Sequence, residues 1–163
     1  MTIRLAEKRD LEALVEIYNQ AIVTGEKTAD TSPYSVDDRL GWFNGHSPEK
    51  HPILVAVNDE TVQGYLTISA HRPGRQALRH TAEVSFYIHF DYHRQGVASK
   101  LLNHAIKVCP ELKVKTLFAI LLETNLASIG LLQKFGFEKW GYLPRVAEIN
   151  GIETGQFYYG RRV

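Results

Sequence analysis

Absences narrow this chain before any motif does. Its 163 residues hold a single cysteine, which rules out an intramolecular disulfide framework and suits a reducing cytoplasm. No apolar stretch is long enough to span a bilayer, and the opening Met1-Thr2-Ile3-Arg4-Leu5-Ala6 lacks the apolar segment of a signal peptide, so neither a membrane association nor export is expected. Neither sign of charge dominates. Nineteen Lys and Arg against 18 Asp and Glu leave a formal charge of +1, without the basic excess of a nucleic-acid footprint. Repeats, low-complexity tracts and linkers are missing as well, so residues 1–163 read as one domain. A chain of this length buries roughly 70% of its unfolded surface, enough for a genuine core.

Two nucleotide-binding motifs are absent too. Gly-x-x-x-x-Gly-Lys-Ser/Thr does not occur, and no three-glycine fingerprint follows an N-terminal strand. Seven histidines are present, but His89 and His93 straddle a strand-to-turn junction and no third ligand is evident, so no metal centre is expected. Cys109 falls on an apolar helix face without an activating partner and reads as core. Trp42 and Trp140 could line a substrate site, but aromatic packing is the commoner use of such rings.

What is present is a regular alternation of elements. A strand is expected over 2–5, then a helix over 8–24 with Leu11, Leu14, Val15, Ile17, Tyr18, Ala21 and Ile22 on its apolar face. A polar loop and a second helix near 35–45 follow. Strands are expected near 53–58, 62–71 and 81–89, with Asn58-Asp59-Glu60 turning the first hairpin. After a helix near 96–108, ended by Pro110, come a buried strand over 116–122, a short helix, and strands near 138–148 and 153–162 joined at Asn150-Gly151. Strands in series first and strand-helix-strand units later imply a mixed sheet in an α/β sandwich.

The most informative stretch is His93-Arg94-Gln95-Gly96-Val97-Ala98-Ser99. It follows the β-rich run Thr81–Phe90 and opens a helix whose Val97, Leu101, Leu102, Ala105, Ile106 and Cys109 share one face. A strand feeding a small-residue turn and then a helix leaves backbone N–H groups unpaired at the positive end of the helix dipole. Gly96 and Ala98 keep side chains out of the way, and Arg94 adds a fixed charge. The turn is therefore expected to bind a diphosphate.

These residues resemble motif A of the GCN5-related N-acetyltransferases (GNAT), Gln/Arg-x-x-Gly-x-Gly/Ala, which wraps the pyrophosphate of coenzyme A. His93 stands where Gln or Arg is usual. The segment Thr116–Leu122, then Asn125, Ser128, Leu131 and Leu132, and finally Gly136-Phe137, resembles the family's motif B. Further runs, Thr31-Ser32-Pro33, Trp42-Phe43, Thr81-Ala82-Glu83-Val84-Ser85 and Trp140-Gly141, look like the phosphinothricin and methionine sulfoximine N-acetyltransferase group. The resemblance implies the GNAT fold: an α/β architecture with a mixed, mostly antiparallel central sheet, helices on both faces, and a splayed cofactor cleft between strands 4 and 5. It implies acetyl-CoA as co-substrate, a small amino-acid-like amine as acceptor, and, from relatives, a homodimer.

Site roles follow from that resemblance. Tyr87 and Ile88 would pair through their backbone with the pantetheine arm. His93, Arg94, Gln95, Gly96, Val97, Ala98 and Ser99 would hold the pyrophosphate, and Asn125 and Ser128 would close the cleft. Glu83 is the expected general base, since a protonated amine cannot attack a thioester. The period of two sets Glu83 and Ser85 opposite Val84 and Phe86, but the sequence leaves open which pair faces the cleft. Arg72, Arg75 and Arg79 would bind an acceptor carboxylate, with Thr31, Tyr34 and Phe43 as the other wall. Ser32 replaces a residue often acidic in the group. The tyrosine that many members use to protonate the departing thiolate is replaced by Leu132, so coenzyme A leaves either as a thiolate stabilised by the site's dipoles or with a proton from Tyr142, Tyr158 or Tyr159. A polyamine, antibiotic or protein amine as acceptor, and a non-catalytic acyl-CoA-binding module, stay as alternatives.

Overall fold

The alternating apolar runs fold into seven strands: β1 (Thr2–Leu5), β2 (Ile53–Asn58), β3 (Thr61–Ala70), β4 (Thr81–Ile88), β5 (Thr116–Leu122), β6 (Glu138–Ile149) and β7 (Ile152–Arg162). The computed structural model describes all 163 residues. The strands form one sheet in the order β1-β2-β3-β4-β5-β7-β6, in which β4 and β5 run parallel and every other pair antiparallel. This is the mixed, mostly antiparallel α/β sheet that the resemblance implies. Four helices cover it: α1 (Leu11–Val23), α2 (Val36–Asn44), α3 (Val97–Val108) and α4 (Leu126–Lys134). None of them is long and apolar enough to cross a membrane.

The core lies on both faces of the sheet because its central strands carry apolar residues on both sides, most continuously in β2, where Ile53 to Val57 are all buried. On one face, Leu54, Leu66, Ile68 and Val84 pack against Leu101, Leu102 and Ala105 of α3. On the other, Val55, Val57 and Tyr65 pack against Leu14 and Ile17 of α1. Cys109 is buried in the α3 layer, as its apolar position requires.

Two elements differ from their sequence expectation. The helix expected over 8–24 begins as one 3-10 turn, Lys8–Asp10, and becomes α-helical only at Leu11. Asp10 explains the break: its carboxylate accepts from the Glu7 amide at 2.7 Å and from both terminal nitrogens of Arg4 at 2.7 and 2.9 Å. Burial pushes this carboxyl up, but the Arg4 and Glu7 hydrogen bonds outweigh it and hold the pKa below the ordinary value. The strand expected over 138–148 is interrupted by irregularities between Lys139 and Gly141 and between Leu143 and Ala147. The second contains Pro144, which has no N–H to donate to a ladder.

One feature of the sheet positions the cleft. β4 pairs with β5 over three residues only, Thr81–Glu83 against Thr116–Phe118. Beyond Glu83, β4 stays with β3 out to Ile88, while β5 stays with β7 out to Leu122. The two strands splay, and the free edge of β4 faces a gap.

Candidate active site

The gap opens into a cavity of about 410 Å³ whose floor is Phe86, Tyr87 and Ile88 and whose far wall includes Asn125, Ser128 and Leu131. Its end is the turn before α3. There Arg94 and Gly96 have left-handed backbones, with φ of +60° and +80°, a conformation that costs a side-chain-bearing residue about 1–2 kcal/mol. The first hydrogen bond of the helix is donated by Lys100 to the Gly96 carbonyl at 3.0 Å. The amides of Val97, Ala98 and Ser99 are left without a protein acceptor and point out of the turn. A side chain at Gly96 would meet nothing within 4 Å, so the space above the turn is open.

His93, Arg94, Gly96, Val97, Ala98, Ser99, Asn125 and Ser128 all line this one cavity with Tyr87 and Ile88. Gln95 does not. Its side-chain amide turns back to donate to the Asp91 carbonyl at 2.8 Å and braces the turn from behind. His93 donates from Nε2 to the Ile88 carbonyl at 2.9 Å, tying the turn to the end of β4. Asn125 caps α4 by accepting from the Ser128 amide at 3.3 Å, which leaves its Nδ2 hydrogens for the cavity. Lys27 of the α1–α2 loop also lines the cavity, with Nζ 5.1 Å from the Phe90 ring centre; it belongs to no motif, and nothing in the sequence marked it. No carboxylate lines the cavity. Unpaired amides, two fixed cations and an open strand edge fit a diphosphate on a chain of amides.

Glu83 sits at the last paired position before the splay. Ala82 and Val84 point into the α3 core, so Glu83, Ser85 and Tyr87 point to the α1 face, which answers the question the strand period left open. The Glu83 carboxylate has neither a hydrogen bond nor an ion pair, and burial alone raises its pKa above the ordinary glutamate value. Its cross-strand neighbour is Ser69, whose hydroxyl lies 3.3 Å from Nε2 of His46; Nδ1 of that ring donates to the Trp42 carbonyl at 2.9 Å. Deeper on the same face, Tyr87 stands edge-on to Tyr18 at 4.9 Å, and burial pushes its phenol up to about 12.

Arg72, Arg75 and Arg79 come together in a second, larger cavity of about 660 Å³ at the opposite end of β4. Lys50 and Lys113 add two more fixed cations against the carboxylates of Glu49 and Glu111. None of the five cations is held in an ion pair. His71 and Thr81 connect this cavity to the strand positions next to Ser69 and Glu83.

The wall expected from Thr31, Tyr34 and Phe43 does not line that cavity. Tyr34 is fixed elsewhere: its amide donates to the Asn19 side chain and its carbonyl accepts from it, both at 2.9 Å. Its ring faces the Arg39 guanidinium, which also stacks on Tyr18 and, at 4.0 Å, on Trp42. Phe43 packs against the α1-side core, and Thr31 is exposed. Contacts among α1, α2 and their loop, none visible as a spacing pattern, set these positions.

Of the tyrosines weighed as thiolate acids, Tyr159 is buried in the α3 core and Tyr142 donates to Glu123 at 2.9 Å. Tyr158 faces Phe118 on the open face of the sheet. Leu132 is buried at the floor of the splay.

Comparison with known proteins agrees with this geometry. Residues 11–137 match the acetyltransferase (GNAT) family. The chain is 42% identical to YwnH of Bacillus subtilis, over 100% of this chain and 99% of that one. It is 31% identical to the L-methionine sulfoximine/L-methionine sulfone acetyltransferase of Salmonella typhimurium, over 96% and 89% of the two chains. The crystal structure of a GNAT superfamily phosphinothricin acetyltransferase from Sinorhizobium meliloti in complex with AcCoA superimposes with a TM-score of 0.93 at 26% identity, covering 99% of this chain and 88% of that one. The splayed sheet, the amide-lined turn and the matched span all lie in one unit, and the chain belongs to the GNAT acetyltransferase family as an N-acetyltransferase enzyme.

Proposed function

We propose that this protein transfers the acetyl group of acetyl-CoA to the α-amine of a small amino acid, of the kind represented by phosphinothricin and methionine sulfoximine. The observation that carries the reading is the position of Glu83, a half-buried carboxylate without a partner, between an amide-lined cavity and an arginine-lined one. Acetyl-CoA fits the first: the amides at 97–99 and Arg94 would hold the pyrophosphate, and the free edge of β4 at Tyr87 and Ile88 would pair with the pantetheine amides. The acceptor carboxylate fits the second, where guanidinium groups offer bidentate donors.

In this arrangement the acceptor arrives as an ammonium ion, and Glu83 takes one proton from it, directly or through a water. The neutral amine attacks the thioester carbonyl, the C–N bond forms and the C–S bond breaks; coenzyme A leaves as a thiolate, and the second proton, shed by the nitrogen as it becomes an amide, passes to that sulfur through solvent. Thr31, Tyr34 and Phe43 have no part in the acceptor pocket of this reading. The reading includes a cytoplasmic homodimer; exposed Leu143, Val146 and Ile152 toward the tip of the β6–β7 hairpin support a self-association surface.

Two measurements test it. Saturating acetyl-CoA should raise the melting temperature, with about 2.7 kcal/mol gained at 100 times the dissociation constant; no shift overturns the cofactor assignment. Thiol release over an amino-acid panel containing phosphinothricin and methionine sulfoximine should show turnover, and activity on polyamines or protein amines alone would overturn the acceptor class.

A further inference from the structure

Trp140 lies in the first irregularity of β6. Lys139 is opposite Tyr159 and Gly141 opposite Tyr158, so Trp140 has no partner of its own on β7. A bulge of this kind frees a residue from strand alternation and re-aims its side chain. Here the indole is laid flat across β7 above Gly160, so closely that a methyl group on Gly160 would collide with the ring. The ring then reaches Phe118 of the next strand, edge to face, with centroids 5.3 Å apart at 88°. Phe118 is directly opposite Glu83 across the β4–β5 pair. Tyr158 and His71 complete the group, with centroids 6.2 and 5.0 Å from Phe118.

Core packing does not account for this arrangement. Trp140 keeps 44% of its surface exposed although a bulge and a bare glycine are both spent on lodging it. A large apolar ring held in a built slot over β7, with Phe118 of β5 between it and the unpartnered carboxylate on β4, is a surface awaiting a ligand.

We infer that Trp140 is a specificity-determining residue, whose indole, with Phe118 and Tyr158, forms the wall against which the acceptor's side chain packs while its amine faces Glu83. The inference rests on the amino-acid N-acetyltransferase reading and deepens it: the preferred acceptors carry an extended apolar or sulfur-containing side chain. Glycine and alanine are too short to touch the wall.

The test is steady-state thiol release with acetyl-CoA and, in turn, glycine, alanine, methionine, methionine sulfone and phenylalanine. Trp140→Ala should raise KM for the three long acceptors about tenfold relative to glycine and alanine, with KM for acetyl-CoA unchanged. Trp140→Phe should restore most of the preference. Gly160→Ala, which keeps the indole but displaces it from its slot, should shift the preference in the same direction as Trp140→Ala. If Trp140→Ala fails to fold, the Phe and Gly160→Ala variants carry the comparison. An equal change across all five acceptors, or a change confined to KM for acetyl-CoA, overturns the inference. So does dissociation of an oligomer by Trp140→Ala with the acceptor ranking retained, which would make the indole a subunit contact. Wild-type protein that acetylates none of the panel brings down the underlying amino-acid reading and this inference with it, whereas wild-type turnover with an unaltered ranking in the variants overturns the inference alone.

Discussion

The two ends of β4 attract anions by different means. At the C-terminal end the attraction is built into the main chain: left-handed Arg94 and Gly96 aim consecutive amides outward at the start of α3, and only Arg94 and Lys27 add fixed side-chain charge. At the N-terminal end it is built almost entirely from side chains, with Arg72, Arg75, Arg79, Lys50 and Lys113 around one cavity. An amide site is insensitive to most substitutions because every residue but proline supplies an N–H. It fails when the backbone conformation fails. A guanidinium site has the opposite sensitivity, since its backbone tolerates change and its charge resides in a few replaceable groups. The difference suits the parts played in the proposed reaction: one co-substrate common to the family, and an acceptor that varies within it.

Glu83, between the two ends, gives the largest expected effect. Glu83→Gln should lower turnover by at least about a hundredfold, the usual contribution of a general base, with binding at both ends preserved. Stability should move the other way. Burial makes Glu83 hold its proton more tightly in the folded chain than in the unfolded one. Wild-type stability therefore falls as the pH rises from the ordinary glutamate range through the raised value. Glutamine has no charge to bury, so the variant should melt higher than wild type at pH 8, and the gap should close near pH 4. Unchanged turnover across pH would remove Glu83 from the chemistry.

Breaking the side-chain end comes next. Arg75→Ala should raise the acceptor KM by at least about tenfold, in keeping with about 1.5–3 kcal/mol for hydrogen bonds to a charged group, and leave KM for acetyl-CoA unaltered. A change in both constants would show that the two ends are not independent. At the main-chain end, Gly96→Val should destabilise the fold by about 1–2 kcal/mol and weaken acetyl-CoA binding about tenfold, as read by calorimetric titration. The smallest effect belongs to Arg94→Ala. This exposed cation should change acetyl-CoA affinity only about threefold, since charges in water contribute little, and the change should shrink further with added salt. If Arg94→Ala proves more damaging than Gly96→Val, the main-chain account of that end is wrong.

The legibility of each region in the sequence follows its locality. The turn could be read in advance because its parts are consecutive: Gly96 is needed for a positive φ, small residues flank it, and an amphipathic helix starts at once. The hairpins at Asp59-Glu60 and Asn150-Gly151 were legible for the same reason, and all four residues have positive φ. Asp10 was harder. Its neighbours suggest continuous helix, and only the pairing with Arg4, six residues earlier on β1, shows why the helix starts late. Thr31, Tyr34 and Phe43 stand away from the arginine cavity because the α1–α2 loop takes its shape from the cation stacked among Tyr18, Tyr34 and Trp42.

The sequence by itself determined the α/β class, the order of elements, the glycine turn before α3 and the family, because each depends on residues close together or on motifs in fixed order. Tertiary structure alone decided which face of β4 carries Glu83, how far β4 and β5 separate, and where the indole of Trp140 comes to rest. Those features join strands and loops distant in the chain: Phe118 beside Glu83, and Trp140 over Gly160. A bulge and an absent side chain on neighbouring strands have no joint signature along the sequence, since their meeting depends on register, and register is set by the packing of the whole sheet.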